Sequence, residues 1–107
     1  MSKLSLIYVT VANLDEAKKI AKFLVTEKKV ACANILPGAT SIYHWEGKLE
    51  ETTECVLIAK TKTSLVDDVI TVVKKLHSYS CPCIVSLSID NGNPDFLAWI
   101  EKETIKN

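Results

Sequence analysis

The order in which hydrophobic patterns change along this chain is the feature that most constrains its fold. Short apolar or alternating runs, typical of β-strands, cover residues 4–12, 30–36, 39–45, 49–61 and 83–89. Apolar residues at the three- and four-residue spacing of one helix face predict a helix over residues 15–28 and a second with Lys74, Lys75 and His77 at its C-terminal end. The resulting β-α-β-β-α-β order predicts an α+β, ferredoxin-like sandwich with both helices on one face of the sheet.

Local signals mark where these elements begin and end. Asn13 suits the cap of the first helix, and Glu16 three residues later predicts a capping box. Pro37-Gly38 predicts the end of the second strand. Thr63 and Ser64 are expected to open the second helix. A turn over residues 90–94 should precede a C-terminal amphipathic helix over residues 95–105.

The strands on either side of the Glu46-Gly47-Lys48 turn predict a β-hairpin with a long arm. The returning strand, residues 49–61, is longer than a small sheet requires. Residues 4–12 are apolar on both of their alternating faces, whereas the helices can cover only one face of the sheet. We therefore expect the other face to be buried against further copies of the chain.

Length and charge restrict the possible partners. The 107 residues predict a single domain covering 1–107 that can form its own core without a metal or cofactor. Thirteen acidic residues balance thirteen basic ones, all lysine, which argues against nucleic acid and anionic membranes as partners. No apolar run approaches the ~20 residues of a membrane span. Four cysteines without a disulfide-type pattern favour a reducing, cytoplasmic location.

Several motifs recur in one known family. They comprise the run Ala31-Cys32-Ala33-Asn34-Ile35-Leu36-Pro37-Gly38, the pattern Ser41-x-Tyr43-x-Trp45-x-Gly47-Lys48, Glu54, Lys60-Thr61, His77-x-Tyr79-x-x-Pro82, Gly92-Asn93 and Trp99-Ile100. In these residues the chain resembles the CutA family of divalent-cation tolerance proteins. The resemblance implies a PII-like homotrimer with interlocked hairpins. Tyr43, Trp45 and Trp99 are expected at subunit interfaces, with Trp99 also seating the last helix, and the alternative is that Trp45 and Trp99 form a ligand-stacking pair. The resemblance also implies a relation to copper or other divalent ions.

The chain departs from this family where metal binding is concerned. Val9 stands where some members carry a cysteine linked to copper, and Leu76 replaces one of two adjacent histidines. Ser80 and Cys83 replace acidic residues of the family block that follows His77. With both acidic positions lost and two thiols present, at Cys81 and Cys83, the block shifts from hard oxygen toward soft sulfur ligands, which suit copper(I) and zinc.

Two interpretations of this cysteine-rich segment remain open. In the first, His77, Cys81 and Cys83, helped by Cys32, form a soft-metal site. In the second, Cys81 and Cys83 pack in the core and His77 caps a helix end, because free cysteine is among the most buried residue types.

Other functions compete with metal binding. A PII-like module would bind a small ligand in an inter-subunit cleft, with Lys60, Tyr79, His77 and Cys32 as expected lining residues. A rigid trimeric scaffold for a protein partner is a further alternative. No catalytic motif occurs, and a Cys32–His77 nucleophile pair lacks an orienting third group, so we do not expect an enzyme. His44 is interpreted as a surface residue.

Overall fold

The structure, a computed structural model, describes residues 3–105. In chain order its elements are β1 (Leu4–Val11), α1 (Leu14–Thr26), β2 (Cys32–Trp45), β3 (Lys48–Lys62), a 3₁₀ turn (Thr63–Leu65), α2 (Val66–Leu76), β4 (Ile84–Ile89) and α3 (Pro94–Lys102). The strands form one sheet in the order β2-β3-β1-β4, and every pairing is antiparallel. This arrangement confirms the predicted α+β class and element order.

The core lies between one face of the sheet and helices α1 and α2. Strand β1 is central, and its inward side chains alternate as the strand period of two requires. The largest fully buried side chains of this cluster are Ile7, Val9, Val11, Ile20, Leu24, Val30, Leu57, Val69 and Val73. Helix α1 contributes the apolar face that its sequence spacing predicts.

Strand β2 does not end at Pro37-Gly38, so that prediction is wrong. The strand continues from Cys32 to Trp45, and its pairing with β3 shifts register between Leu36 and Ala39. Gly38 has a φ of +79°, a conformation that glycine adopts without steric cost. Because β2 is an edge strand, the missing N–H of proline is tolerated there, and the dipeptide forms a bulge.

The hairpin extends well beyond the sheet that supports it. Strand β1 pairs with β3 only from Cys55 to Lys62, so residues 48–54 of β3 pair with β2 alone. Glu46 and Gly47 both have positive φ, as a two-residue hairpin turn requires. This two-stranded arm, residues 39–54, contributes to the elongated shape of 44 × 25 × 22 Å.

The helix caps agree with the sequence in part. The Asn13 side chain accepts a hydrogen bond from the Glu16 N–H at 2.9 Å, which confirms the predicted cap. The Glu16 carboxylate accepts from the Ser78 N–H at 3.0 Å, so the acidic partner of the predicted capping box joins α1 to the segment after α2. Neither the 3₁₀ turn nor α2 has a side-chain cap, and Thr63 instead hydrogen-bonds Ser5.

Within residues 3–105, the second face of the sheet is covered only at one end. Helix α3 packs there through Ile100 against Leu4 and Ala31. Leu36, Val85 and Leu87 remain about half exposed in the single chain. No helix within residues 3–105 is long and apolar enough to cross a membrane.

Candidate functional site

A cleft of about 620 Å³ opens between the hairpin arm and the segment that joins α2 to β4. We call it the aromatic cleft, because four of its lining residues are aromatic. Its lining residues are Tyr8, Thr10, Ser41, Ile42, Tyr43, Trp45, Glu54, Tyr79, Ser80, Cys81 and Cys83. Cavities of this volume lie within the range of small-molecule sites in proteins.

Backbone and ring contacts hold the α2–β4 segment, residues 77–83, beside strand β1. The Thr10 N–H donates to the Cys83 carbonyl at 3.3 Å, and the His77 ring bonds the Thr10 carbonyl at 2.7 Å. These contacts bring Tyr79, Cys81 and Cys83 to the same cleft as Tyr43 and Trp45 of β2.

Tyr79 and Glu54 join the two sides of the aromatic cleft. The Tyr79 hydroxyl donates to Glu54 Oε2 at 2.8 Å. Burial, followed by the hydrogen bond and the negative charge of Glu54, raises the pKa of Tyr79 well above its ordinary value. Only 7% of Glu54 is exposed, and no lysine, arginine or histidine among residues 3–105 forms an ion pair with it.

Glu54 was not predicted to be a site residue. It is one of the positions at which the chain resembles the CutA family. The available signal was its place at the start of the apolar run over residues 55–59, where a charged side chain is unusual. Its pairing with Tyr79, 25 positions away, depends on tertiary contacts.

His77 has a structural position. Its side chain is fully buried. Nε2 donates to the Thr10 carbonyl, and Nδ1 accepts from the Tyr79 N–H at 3.1 Å. These partners require the neutral tautomer with the proton on Nε2. Neither nitrogen is free for a metal ion in this arrangement. His77 is the C-cap residue of α2, as the second interpretation expects, and its ring joins α2 to β1.

The four cysteines lie in three different environments. Cys55 is buried, whereas Cys81 and Cys83 are exposed and line the aromatic cleft. The interpretation in which Cys81 and Cys83 pack in the core is therefore wrong for this chain. Cys32 lies elsewhere, beside Lys60, whose Nζ is 3.9 Å from the Cys32 sulfur.

The structure does not bring the predicted soft-metal set together within one chain. Cys32 of β2 is the strand partner of Lys60 in β3, and Lys60 is the strand partner of Leu6 in β1. The Cys83 carbonyl, in contrast, accepts a hydrogen bond from the N–H of Thr10, also in β1. Four strand residues, roughly 13 Å, separate Leu6 from Thr10. Among residues 3–105, no group of three or more histidine, cysteine, aspartate or glutamate side chains is arranged to hold a metal ion.

The remaining predicted site residues also divide between two regions. Lys60 does not line the aromatic cleft with Tyr79; its Nζ donates to Asn34 Oδ1 at 2.8 Å and lies 5.9 Å from the centre of the Phe96 ring. Trp99 stacks on Phe96 with ring centres 5.5 Å apart, and both rings are partly exposed on the surface of α3. His44 is exposed on the hairpin arm, as predicted.

Comparison with known proteins gives one consistent result. The profile of the family described as CutA1 divalent ion tolerance protein matches residues 5–103. The chain is 46% identical to the Protein CutA homolog of Xenopus laevis over 91% of its own length and 64% of the relative's. It is 44% identical to the divalent-cation tolerance protein CutA of Archaeoglobus fulgidus, over 94% of this chain and 96% of that protein.

Solved structures agree in fold. The crystal structure of CutA1 from Oryza sativa superposes with a TM-score of 0.96 at 39% identity, covering 99% of this chain and 97% of the other. The Archaeoglobus fulgidus structure, described as a periplasmic divalent cation tolerance protein, has a TM-score of 0.91 at 42% identity and covers 94% of this chain and 97% of the other. The chain spans just under two thirds of the length of the Xenopus laevis relative.

Proposed function

Because the chain belongs to the CutA1 divalent ion tolerance family, we propose that it acts in cation tolerance by binding a soft metal ion, copper(I) foremost, through Cys81 and Cys83. The observation that carries this proposal is that both free thiols are exposed and line the same cleft. Only Pro82 separates them in sequence, so we expect one ion to reach both sulfurs.

The chemistry of two thiolates favours copper(I) over the harder divalent ions. Thiolate sulfur is a soft donor, and copper(I) is stable with two sulfur ligands. Structural zinc requires four ligands, so zinc would need donors from another copy of the chain or from solvent. The proposed set is narrower than the one expected from sequence, since His77 is engaged by Thr10 and Tyr79 and Cys32 lies near Lys60.

Competition with a copper(I) chelator under anaerobic, reducing conditions tests this proposal. The double variant Cys81→Ser/Cys83→Ser should lose affinity by at least about tenfold, because soft sulfur ligands are replaced by hydroxyls. Cys32→Ser is the control, because Cys32 is a partly accessible free thiol that lies outside the cleft. Equal affinity in the parent and double variant would contradict the proposal.

We also propose that the chain forms a homotrimer in the cytoplasm. Support comes from the hairpin arm, since a two-stranded ribbon is only marginally stable in water without further contacts. Its exposed apolar residues include Ile42 and Leu49, which are 64% and 68% exposed in the single chain. Light scattering should give about three times the chain mass of 11.8 kDa, and a monomeric mass would contradict the trimer.

Small-ligand binding in the aromatic cleft is a second candidate function. Its volume and its combination of aromatic walls with one buried carboxylate favour this function. In either case the chain acts as a binding protein and not as an enzyme. Calorimetry with copper(I), zinc and a set of small ligands, on protein with and without the two cysteines, separates the two candidates.

A further inference from the structure

Helix α1 begins close to the point where helix α2 ends, and a buried histidine lies at this junction. The His77 side chain is fully buried. Its Nε2 donates to the Thr10 carbonyl of β1 at 2.7 Å, and its Nδ1 accepts the Tyr79 N–H at 3.1 Å. The neutral ring therefore connects the α2–β4 segment to an interior strand of the sheet.

Glu16 of α1 lies beside the same ring nitrogen. Its Oε2 is 3.7 Å from His77 Nδ1 and accepts the Ser78 N–H at 3.0 Å. Only 16% of the Glu16 side chain is exposed. A carboxylate is therefore already in place to accept a second ring proton, although the neutral ring has no proton on that nitrogen.

A second proton can be added at only one nitrogen of the ring. Histidine is the side chain that ordinarily changes charge between about pH 5 and 8. Because Nε2 already carries a proton, acid places the new one on Nδ1. Nδ1 can then no longer accept the Tyr79 N–H, and two donors face each other across this contact. The new N–H has the Glu16 carboxylate as an acceptor, and a charge-assisted hydrogen bond there compensates the buried charge.

We propose that His77 and Glu16 form an acid-operated switch for the α2–β4 segment. The neutral ring holds the Tyr79 N–H, whereas the protonated ring donates to Glu16 and releases Tyr79. The proton comes from solvent and stays on the ring, so no further reactant is needed. The switch lies within the single chain, between the helices and β1, and it depends neither on metal binding at Cys81 and Cys83 nor on an open cleft.

The other groups that face the ring leave this role to Glu16. Thr10 contacts the ring through a backbone carbonyl, which does not titrate. The Tyr79 ring centre is 4.8 Å from that of His77, and burial, together with Glu54, raises the pKa of its phenol, so it stays neutral in acid. Among residues 3–105, Glu16 is the only group that forms an ion pair with His77.

More distant charges have both signs. Lys74 and Lys75, in the last turn of α2, are exposed, and their charges oppose a positive ring. Glu54 of β3 accepts the Tyr79 hydroxyl hydrogen bond and reaches the ring only through Tyr79. Release of Tyr79 therefore also disturbs its contact with Glu54.

Nuclear magnetic resonance of the ring nitrogens follows the switch directly. The chain has two histidines, and the exposed His44 serves as an internal reference. At about pH 7.5 His77 should show the neutral form with its proton on Nε2, and at about pH 5 the charged form. Exchange protection of the Tyr79 amide, corrected for the intrinsic effect of pH, should fall by about tenfold over this range because one hydrogen bond is lost. The Ala31 N–H, which donates to the Lys60 carbonyl, should keep its protection.

Two variants separate the ring from its acidic partner, and circular dichroism verifies that each is folded. His77→Asn offers an amide oxygen to the Tyr79 N–H and cannot titrate, so the protection of Tyr79 should not respond to acid. Glu16→Gln keeps an oxygen for the Ser78 N–H but removes the charge, so a lower pH should be needed for the same loss of protection. The matched control is Asp15→Asn, which removes a negative charge from the same turn of α1 and should respond as the parent does.

Three results would overturn the proposal. The first is a His77 ring that stays neutral at about pH 5. The second is a charged ring with the Tyr79 amide still protected. The third is an equal response of Glu16→Gln and Asp15→Asn, because the switch requires the Glu16 charge. If His77→Asn does not fold, the parent and the two α1 variants decide the question by the same measurements.

Discussion

The hydroxyl of Tyr79 donates a 2.8 Å hydrogen bond to the carboxylate of Glu54 and so connects the α2–β4 segment to the base of the hairpin arm. The two residues lie on opposite sides of the aromatic cleft, and within residues 3–105 the cleft is lined by no other acidic side chain and by no lysine or histidine. This contact therefore sets both the shape and the charge of the cleft.

The Tyr79 phenol should titrate above the ordinary tyrosine value of about 10. Burial and Glu54 raise its pKa in the folded chain, so the protonated form favours folding. This contribution is fully present below pH ~10 and is lost as pH rises through the folded-state pKa. Phenolate absorbance, compared between the parent and Tyr79→Phe, measures the titration.

Glu54→Gln provides the control for that titration. Removing the carboxylate charge should lower the pKa of Tyr79 toward its ordinary value, while burial continues to raise it. Titration of Tyr79 in the ordinary range in the parent protein would contradict the observed contact.

Replacing His77 should reduce stability substantially. His77→Ala removes a fully buried ring and its bonds to Thr10 and Tyr79, and it should lower the free energy of unfolding by about 2–4 kcal/mol. Urea unfolding measures this change. His44→Ala at an exposed position should change it by less than about 0.5 kcal/mol. Similar values for the two variants would show that the His77 contacts contribute little.

The Asn13 cap of α1 should contribute about 1 kcal/mol to the free energy of unfolding. Asn13→Ala removes the acceptor for the Glu16 N–H, whereas Asn13→Ser retains an oxygen at that position. Thermal unfolding should place the serine variant between the parent and the alanine variant. A melting temperature for Asn13→Ala equal to that of the parent would exclude a stabilising cap.

The thiols should react with iodoacetamide at clearly different rates. Cys81 and Cys83 are exposed and should react first, and Cys32, which is partly buried beside Lys60, should follow. Cys55 is buried in the core and should react only when the chain unfolds. Peptide mass spectrometry after timed labelling gives the order. Rapid labelling of Cys55 in the native protein would contradict its place in the core.

Local sequence was sufficient wherever one element forms from its own residues. The spacing of Ala17, Ile20 and Leu24 predicted the buried face of α1, and Asn13 predicted its cap. The predicted strand end at Pro37-Gly38 was wrong, because a dipeptide that would end an internal strand is accommodated as a bulge in an edge strand. Whether a strand lies at an edge depends on the order of the whole sheet.

The site shows the same division more clearly. Composition and spacing identified His77, Cys81 and Cys83 as chemically distinctive, but not which of these side chains is buried. The fold turns the His77 ring into the protein, where both nitrogens find backbone partners, and leaves the two thiols facing the cleft.

The sequence by itself thus determined the element order, the α+β class and the family, since these follow from hydrophobic periodicity and from motifs that are local in the chain. Only the tertiary structure determined that Glu54 meets Tyr79, that Cys32 is separated from Cys81 and Cys83, and that one negative charge lies among four aromatic side chains. The physical reason is that exposure and hydrogen bonding depend on contacts between strands and loops distant in sequence, which local patterns do not encode.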